Sequence, residues 1–293
     1  LLARALAEAG APHELLGGGE VAARFPLLSV PGSAVWEPSS GVIAADRCLA
    51  ALREGIEVRQ RTPVVAIDDD GRRVRVVVHS EEGRDEWRAS TVIVCAGPST
   101  GPLLSGAGVG LRALPTLEQV AYLAPAADAV EPVSVDQVPV FVERRHPWFY
   151  GLPVRSEGLV KISLHGAGPA VALDQGAADG ADEQPDPGLL AELAVAAKRV
   201  LRGLGPEPVA TERCLYDNSP DGDFVIDRLG SVVIGSGTSG HGFKFAPLLG
   251  EVLADLATGV PHDHHLGRAA DLERFRSGRL PSLVHREGPP VHP

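Results

Sequence analysis

The 293-residue sequence contains no methionine and only three cysteines, Cys48, Cys95 and Cys214. So few thiols, so widely scattered, exclude a disulfide scaffold and a cysteine-based zinc site and point to a reducing compartment. Positive charge is in deficit, with 27 Lys plus Arg against 38 Asp plus Glu and a net charge of −11. That balance argues against nucleic acid as a partner. No apolar run approaches the roughly 18 residues of a membrane span, and no signal-peptide pattern opens the chain. The expectation is a soluble, cytoplasmic protein. Without an initiator the chain opens directly into a helical pattern, LLARALAEAG. We therefore expect either a processed start or a longer protein whose N-terminal part is missing.

What is present suffices for a core: 44% of residues are hydrophobic and 22% charged, which excludes wholesale disorder. The length predicts about two domains. Residues 1–10 read as the end of a helix stopping at Gly10, and 41–55 as a second helix with Asp46 in an early turn and Gly55 past its end. Short β-type runs follow, separated by DDDG at 68–71 and EEG at 81–83. STVIVCAG at 90–97 has the continuous apolar character of a strand buried on both faces. Beyond a Gly/Pro-rich join near 101–115 come QVAYLA, QVPVFVE, WFYGLP and LVKISLH, which predict a mainly antiparallel sheet. A polar loop spans 166–188, an amphipathic helix 189–204, a strand 231–235 and a helix 245–257; the tail from about 277 is polar and Pro-rich.

Gly235-Ser-Gly237-Thr-Ser-Gly240 matches G-x-G-x-x-G between a strand and a helix, the local context of a dinucleotide fingerprint. Glycines admit a ligand close to the backbone, and a helix start offers free N–H groups. The unit should continue to a second strand with an acidic residue about 20 positions on, and here Pro261 and a His-rich segment follow instead. A tight turn before a closing helix is an alternative. The reading we prefer has the loop facing another part of a cofactor. His262, His264 and His265 lack a Cys or an ordered carboxylate partner and predict a solvated loop, so no metal is expected.

Taken together, GVIAADRC, VIVCAGPST, LVKISLH, TERCLYDNSPDGDFVID and IGSGTSGHGFKFAPLLGEVLADLATG resemble the monomeric sarcosine oxidase and N-methyl-tryptophan oxidase family. These are FAD-dependent amine oxidases of the D-amino-acid oxidase group. The resemblance covers roughly 20–275, and its most specific elements are Cys-x-Tyr and S-G-H-G-F-K-F. It implies that Cys214 forms a thioether to the flavin 8-methyl group; a thiolate is the nucleophile needed, and Arg213 is a cation placed to favour it. An inert core thiol is the alternative, and Cys48 and Cys95 read as structural. Lys244 matches the lysine that binds the substrate carboxylate; a solvated surface lysine is the alternative, against which Phe243 and Phe245 beside it argue for partial burial. Lys161 and His165 share one strand face by their even offset. The resemblance puts Lys161 by the flavin for oxygen activation and His165 near the substrate, although an edge-strand lysine is the plainer reading of Lys161. Tyr216 matches an active-site tyrosine, and Tyr150 an aromatic wall. Gly237, Ser239, Gly240, His241, Gly242 and Phe243 complete the expected flavin-binding set.

The family's N-terminal strand, its own G-x-G-x-x-G turn and an arginine pairing with the substrate carboxylate have no counterpart here. Gly17-Gly18-Gly19 shows no preceding strand in its pattern and lacks the spacing. The expected fold is therefore α/β: an N-terminally truncated Rossmann-like FAD-binding domain over 1–111 and 221–293, with an inserted, mainly antiparallel substrate domain over 112–220. The implied activity is oxidation of sarcosine or another N-methyl amino acid by O2, yielding primary amine, formaldehyde and H2O2, by a monomer. An oxidase of cyclic imino acids or glycine, an inactive fragment lacking FAD and serving at most as a binding module, and a dehydrogenase built on the Gly235 loop are the rivals.

Overall fold

Along the strand Leu159–His165, Val160, Ile162 and Leu164 are buried, while Lys161 and His165 on the other face are half-buried. This period-two alternation organises the larger of the sheets in a computed structural model of the chain. The structure describes residues 1–260 apart from 82, 108, 112–113, 127–133, 135, 155–156 and 173–183. The His262 cluster, the polar tail and residues 173–183 of the 166–188 loop expected from the sequence thus lie outside the described residues. The chain is a mixed α/β protein that divides into two compact units.

The first unit comprises Leu1–Ile43, Glu118–Pro169 and Ala178–Cys214. Its sheet has five strands in the order Leu204–Asn218, Leu114–Pro125, Leu159–His165, Trp148–Val154 and Phe141–Glu143. Leu159–His165 runs antiparallel to both of its neighbours. Helix Pro187–Val200 covers one sheet face, and its buried residues Leu193, Ala196, Ala197 and Val200 follow the helical spacing i, i+3, i+4, i+7. They share a core with Ala121, Leu123, Phe149, Val160, Ile162 and Leu164. Asp186 starts this helix by accepting from the N–H groups of Gly188 (2.7 Å) and Leu189 (3.1 Å), with Pro187 in the first turn and Lys198 and Arg199 in the last. The helix stops at Val200 because Leu201 is already extended, several residues before the end the sequence predicts.

The same unit corrects the reading of the triple glycine. A short strand, Glu14–Gly17, does precede it and pairs antiparallel with Ser33–Trp36, and helix Gly18–Arg24 follows. Gly18 is required because a Cβ there would collide with the carbonyl oxygen of Val30. The glycine thus serves a close approach of two backbone segments.

The second unit comprises Ala44–Leu117, Ala170–Ala177 and Leu215–Pro293. It holds an antiparallel meander, Val64–Asp69, Val74–Ser80 and Gly83–Ala89, and a sheet ordered Val225–Leu229, Val232–Ser236, Val92–Val94. The last pair is parallel. Helix Ala246–Thr258 lays Leu249, Val252 and Leu253 on Ile226 and Val233 and ends at Gly259, which adopts the left-handed conformation. Two expectations are corrected here. The 90–97 run yields only a three-residue strand in which Ile93 is exposed, and Cys95 lies past its end and is also exposed. The 41–55 helix is confined to Ala45–Leu52, and none of its residues is buried. Val42 and Ile43, β-branched and poor at starting a helix, stay outside it. Among the described residues, no helix is long and apolar enough to cross a membrane.

Candidate active site

The face of the first unit's sheet opposite the helix gathers polar and aromatic side chains. Lys161 lies across from Tyr122 and Leu152, Ser163 from Val120 and Tyr150, and His165 from Trp148. The Lys161 Nζ stands 5.7 Å from the centre of the Tyr122 ring, within cation–π range. The His165 and Trp148 rings stack with centroids 6.1 Å apart and planes 26° apart. The Tyr122 hydroxyl donates a 2.7 Å hydrogen bond to Glu212. Burial, reinforced by that carboxylate, pushes the Tyr122 pKa up, so the phenol stays protonated and donating.

Because Glu212 meets Tyr122 on this face, Cys214, two residues further along the same strand, belongs to it as well. Its side chain is exposed. Partial desolvation by the surrounding sheet nonetheless pushes the thiol pKa up; Lys161 opposes the shift, while Glu118 and Glu212 reinforce it. The expectation that Arg213 favours the thiolate is corrected. As the strand neighbour of Cys214, Arg213 is directed to the other face, where its guanidinium donates to the Gln184 carbonyl at 3.1 Å. Lys161, on the Cys214 face, is a cation that opposes the rise.

The second unit, by itself, holds the glycine loop and Tyr216. Gly237 (φ +67°) and Gly240 (φ +77°) adopt left-handed backbone, as does Ser239 (φ +48°), a conformation that costs a non-glycine residue about 1 kcal/mol or more. A Cβ at Gly237 would lie 2.9 Å from Val225 Cγ2, and one at Gly235 2.9 Å from Leu253 Cδ1. A Cβ at Gly240 would run into the Tyr216 ring, and one at Gly242 into the side chain of Thr238. The His241 Nδ1 is 2.9 Å from the Ser239 carbonyl and so donates to it, and its ring packs 5.1 Å from Phe224. Lys244 lies in the turn Phe243–Phe245 and is exposed. The expected partial burial is corrected: Phe243 and Phe245 are themselves 38% and 42% exposed, because this single turn precedes the helix and only the Phe245 edge meets Phe224.

One residue of this loop system escaped the sequence reading. Asp217 is buried, and its Oδ2 accepts from the Gly237 N–H at 2.6 Å and the Ser236 hydroxyl at 2.9 Å. Its main-chain carbonyl accepts from the Ser239 N–H at 2.9 Å. Desolvation pushes the Asp217 pKa up, against the Ser236 hydroxyl and the N–H groups of Gly237 and Thr238. The Gly237 N–H and the Ser236 hydroxyl are therefore already engaged by a carboxylate, and every glycine of the apparent fingerprint has a packing reason. The dinucleotide reading of the Gly235 loop falls on these contacts. The glycines of this loop let it pack against Leu253, Val225, Tyr216 and Thr238. Among the described residues, no cluster of three or more His, Cys, Asp or Glu is arranged to hold a metal ion.

A family model described as FAD dependent oxidoreductase matches residues 1–256. The chain is 32% identical to human peroxisomal sarcosine oxidase over 289 residues, covering 92% of this chain and 69% of that protein. It is 31% identical to N-methyl-L-tryptophan oxidase of Escherichia coli over 288 residues, 91% of this chain and 69% of that enzyme. Among solved structures, the open form of NikD, an unusual amino acid oxidase essential for nikkomycin biosynthesis, superimposes with a TM-score of 0.73 at 23% identity. That match covers 92% of this chain and 70% of the NikD chain.

Proposed function

The chain belongs to the FAD-dependent oxidoreductase family, and from that premise we propose that it oxidises the secondary amine of amino acids, with N-methyl amino acids such as sarcosine as its substrate class. In the overall reaction an N-methyl amino acid, dioxygen and water become primary amino acid, formaldehyde and hydrogen peroxide. FAD, when bound, supplies the redox chemistry, taking two electrons from the N-methyl carbon and passing them to dioxygen.

The remaining tasks fall to the chain's own side chains. The Lys244 ammonium, exposed at the edge of the glycine loop, binds the substrate carboxylate. His165, stacked on Trp148, and Tyr216, fitted against Gly240, are the residues we assign to recognition of the amine. Lys161 keeps a positive charge where dioxygen gains electrons, an electrostatic contribution that needs no proton transfer. Gly237, Ser239, Gly240, His241, Gly242 and Phe243 line the cofactor, and Cys214 carries it covalently.

The observation that carries this reading is the shared sheet face: Lys161, His165 and Cys214 project from it together, and the Lys161 charge reaches the Cys214 sulfur. To test it, the protein is denatured in acid and flavin absorbance is sought in the precipitate, alongside Cys214→Ala. Colour retained by the parent and lost in the variant is expected; a colourless parent overturns the covalent assignment. Peroxide release is then followed with sarcosine, N-methyltryptophan, proline, pipecolate and glycine. Turnover of the N-methyl substrates is expected, and turnover of the cyclic acids or glycine alone overturns the substrate class.

A further inference from the structure

A carboxylate is an expensive choice for a position as enclosed as Asp217, which is 6% exposed. Its Oδ1 is buried without a hydrogen-bond partner among the described residues, so the charge is only partly compensated. What the side chain gains lies at one oxygen. Oδ2 holds the Gly237 N–H and the Ser236 hydroxyl at once, 2.6 Å and 2.9 Å away. The main chain of Asp217 adds the bond from Ser239 N–H, and the Ser219 N–H reaches the Ser239 hydroxyl at 3.3 Å. The segment Asp217–Ser219 is thereby fastened to Ser236–Ser239 at both of its ends. The fastening spans Gly237 and Ser239, both in left-handed backbone; glycine adopts it freely, but the serine must be held there by its surroundings.

We propose that Asp217 is a positioning residue whose buried carboxylate fixes the Gly237–Gly240 turn in the shape required to receive the cofactor. The inference rests on the FAD reading only for its functional consequence; the fastening itself is a property of the chain. One oxygen accepting two donors is what Ala cannot supply and what the amide oxygen of Asn retains. Asp217 itself touches no reacting atom.

The test has two readouts on the full chain. Amide hydrogen exchange without added FAD follows Gly237 and Ser239, with the amides of Val225–Leu229 as an internal control of folding. Asp217→Ala is expected to speed exchange at Gly237 and Ser239 by about tenfold or more, while Asp217→Asn stays within about threefold of the parent. The FAD dissociation constant, read by flavin fluorescence in a Cys214→Ala background where no covalent bond can form, is expected to rise about tenfold with Asp217→Ala and to be largely restored with Asp217→Asn. Unchanged exchange at Gly237 and Ser239 in Asp217→Ala, with the control strand protected, overturns the proposal. So does an Asn variant as loose as the Ala variant. If Asp217→Ala loses protection throughout, Asp217→Ser decides: its shorter side chain is expected to loosen the turn, and parent-like exchange there overturns the fastening. A parent chain that binds no FAD strikes at the functional reading, and the exchange data still judge the role of Asp217.

Discussion

Tyr216 and Gly240 are fitted to each other: the tyrosine ring occupies the space a Cβ would need at Gly240, and the glycine adopts a φ of +77° that L side chains avoid. Two penalties therefore fall on any substitution. Gly240→Ala is expected to destabilise the second unit by about 2–3 kcal/mol, roughly 1 from the backbone and the rest from displacing the ring. Denaturant unfolding of Gly240→Ala in the parent and in a Tyr216→Ala background separates the two. The loss should shrink by about half or more once the ring is gone; equal losses in both backgrounds refute the steric part.

The reactivity of Cys214 reports the charges around it. The thiolate is the nucleophile, and with the thiol pKa raised by desolvation and by Glu118 and Glu212, alkylation without bound flavin should accelerate only above the usual cysteine range. Lys161→Met removes the opposing cation and should move the alkylation midpoint higher still. Glu212→Gln should move it lower. Arg213→Gln, directed to the other face, should leave it in place. Mass-spectrometric alkylation profiles against pH measure all four, and a shift in the Arg213 variant with none in the Lys161 variant reverses the assignment.

Adjacent residues of one strand should fail differently. Phe149 is fully buried and packs 5.6 Å from Phe141, so Phe149→Ala is expected to cost about 3–5 kcal/mol of stability. Trp148, its neighbour, faces the other way and stacks on His165. Trp148→Ala should cost about 1 kcal/mol or less of stability yet lower kcat/KM for the amine by about tenfold or more. Similar stability losses in the two variants contradict the division of the sheet into a core face and a site face.

Much of this division is legible in the sequence. The even offset between Lys161 and His165, and the apolar residues at 160, 162 and 164, already assign the two faces. The spacing within 189–200 likewise marks the covering helix. The strand Leu204–Asn218 is not legible as one: it contains Pro206 and Pro208 and little alternation, and it forms because it lies at the sheet edge, where proline's missing donor is tolerated. Asp217 was invisible for a different reason. Its burial and its partners depend on Ser236 and Gly237, some 20 residues away, and a carboxylate within D-N-S-P-D-G-D reads locally as a turn. The exposure of Lys244 is not legible either, because flanking phenylalanines signal burial only when something covers them.

Asp217 also predicts a pH effect whose sign follows from its surroundings. Its folded pKa lies above the ordinary carboxylate value of 3.8, so ionisation costs the folded state more than the unfolded one. The stability this group contributes is present below that ordinary value and is lost as pH rises through the raised folded value. The parent should therefore lose stability relative to Asp217→Asn as pH climbs across that window, and the difference should level off above it. Denaturant midpoints taken at closely spaced pH values give the curve; a parent that gains on the Asn variant as pH rises contradicts the shift.

The strand Leu159–His165 encodes two chemistries in a single line, odd-numbered positions serving the site face and Val160, Ile162 and Leu164 the core. Its tolerance of change is thus lopsided. Point substitutions on the odd-numbered positions can vary the chemistry while the hydrophobic partners stay put. An insertion or deletion of a single residue inverts the parity of everything beyond it, driving an ammonium or an imidazole into the helix-covered interior and turning leucine outward. Diversification of this stretch must therefore proceed by replacement or by changes of two residues at a time, and libraries with randomised length here will be populated almost entirely by chains that do not fold.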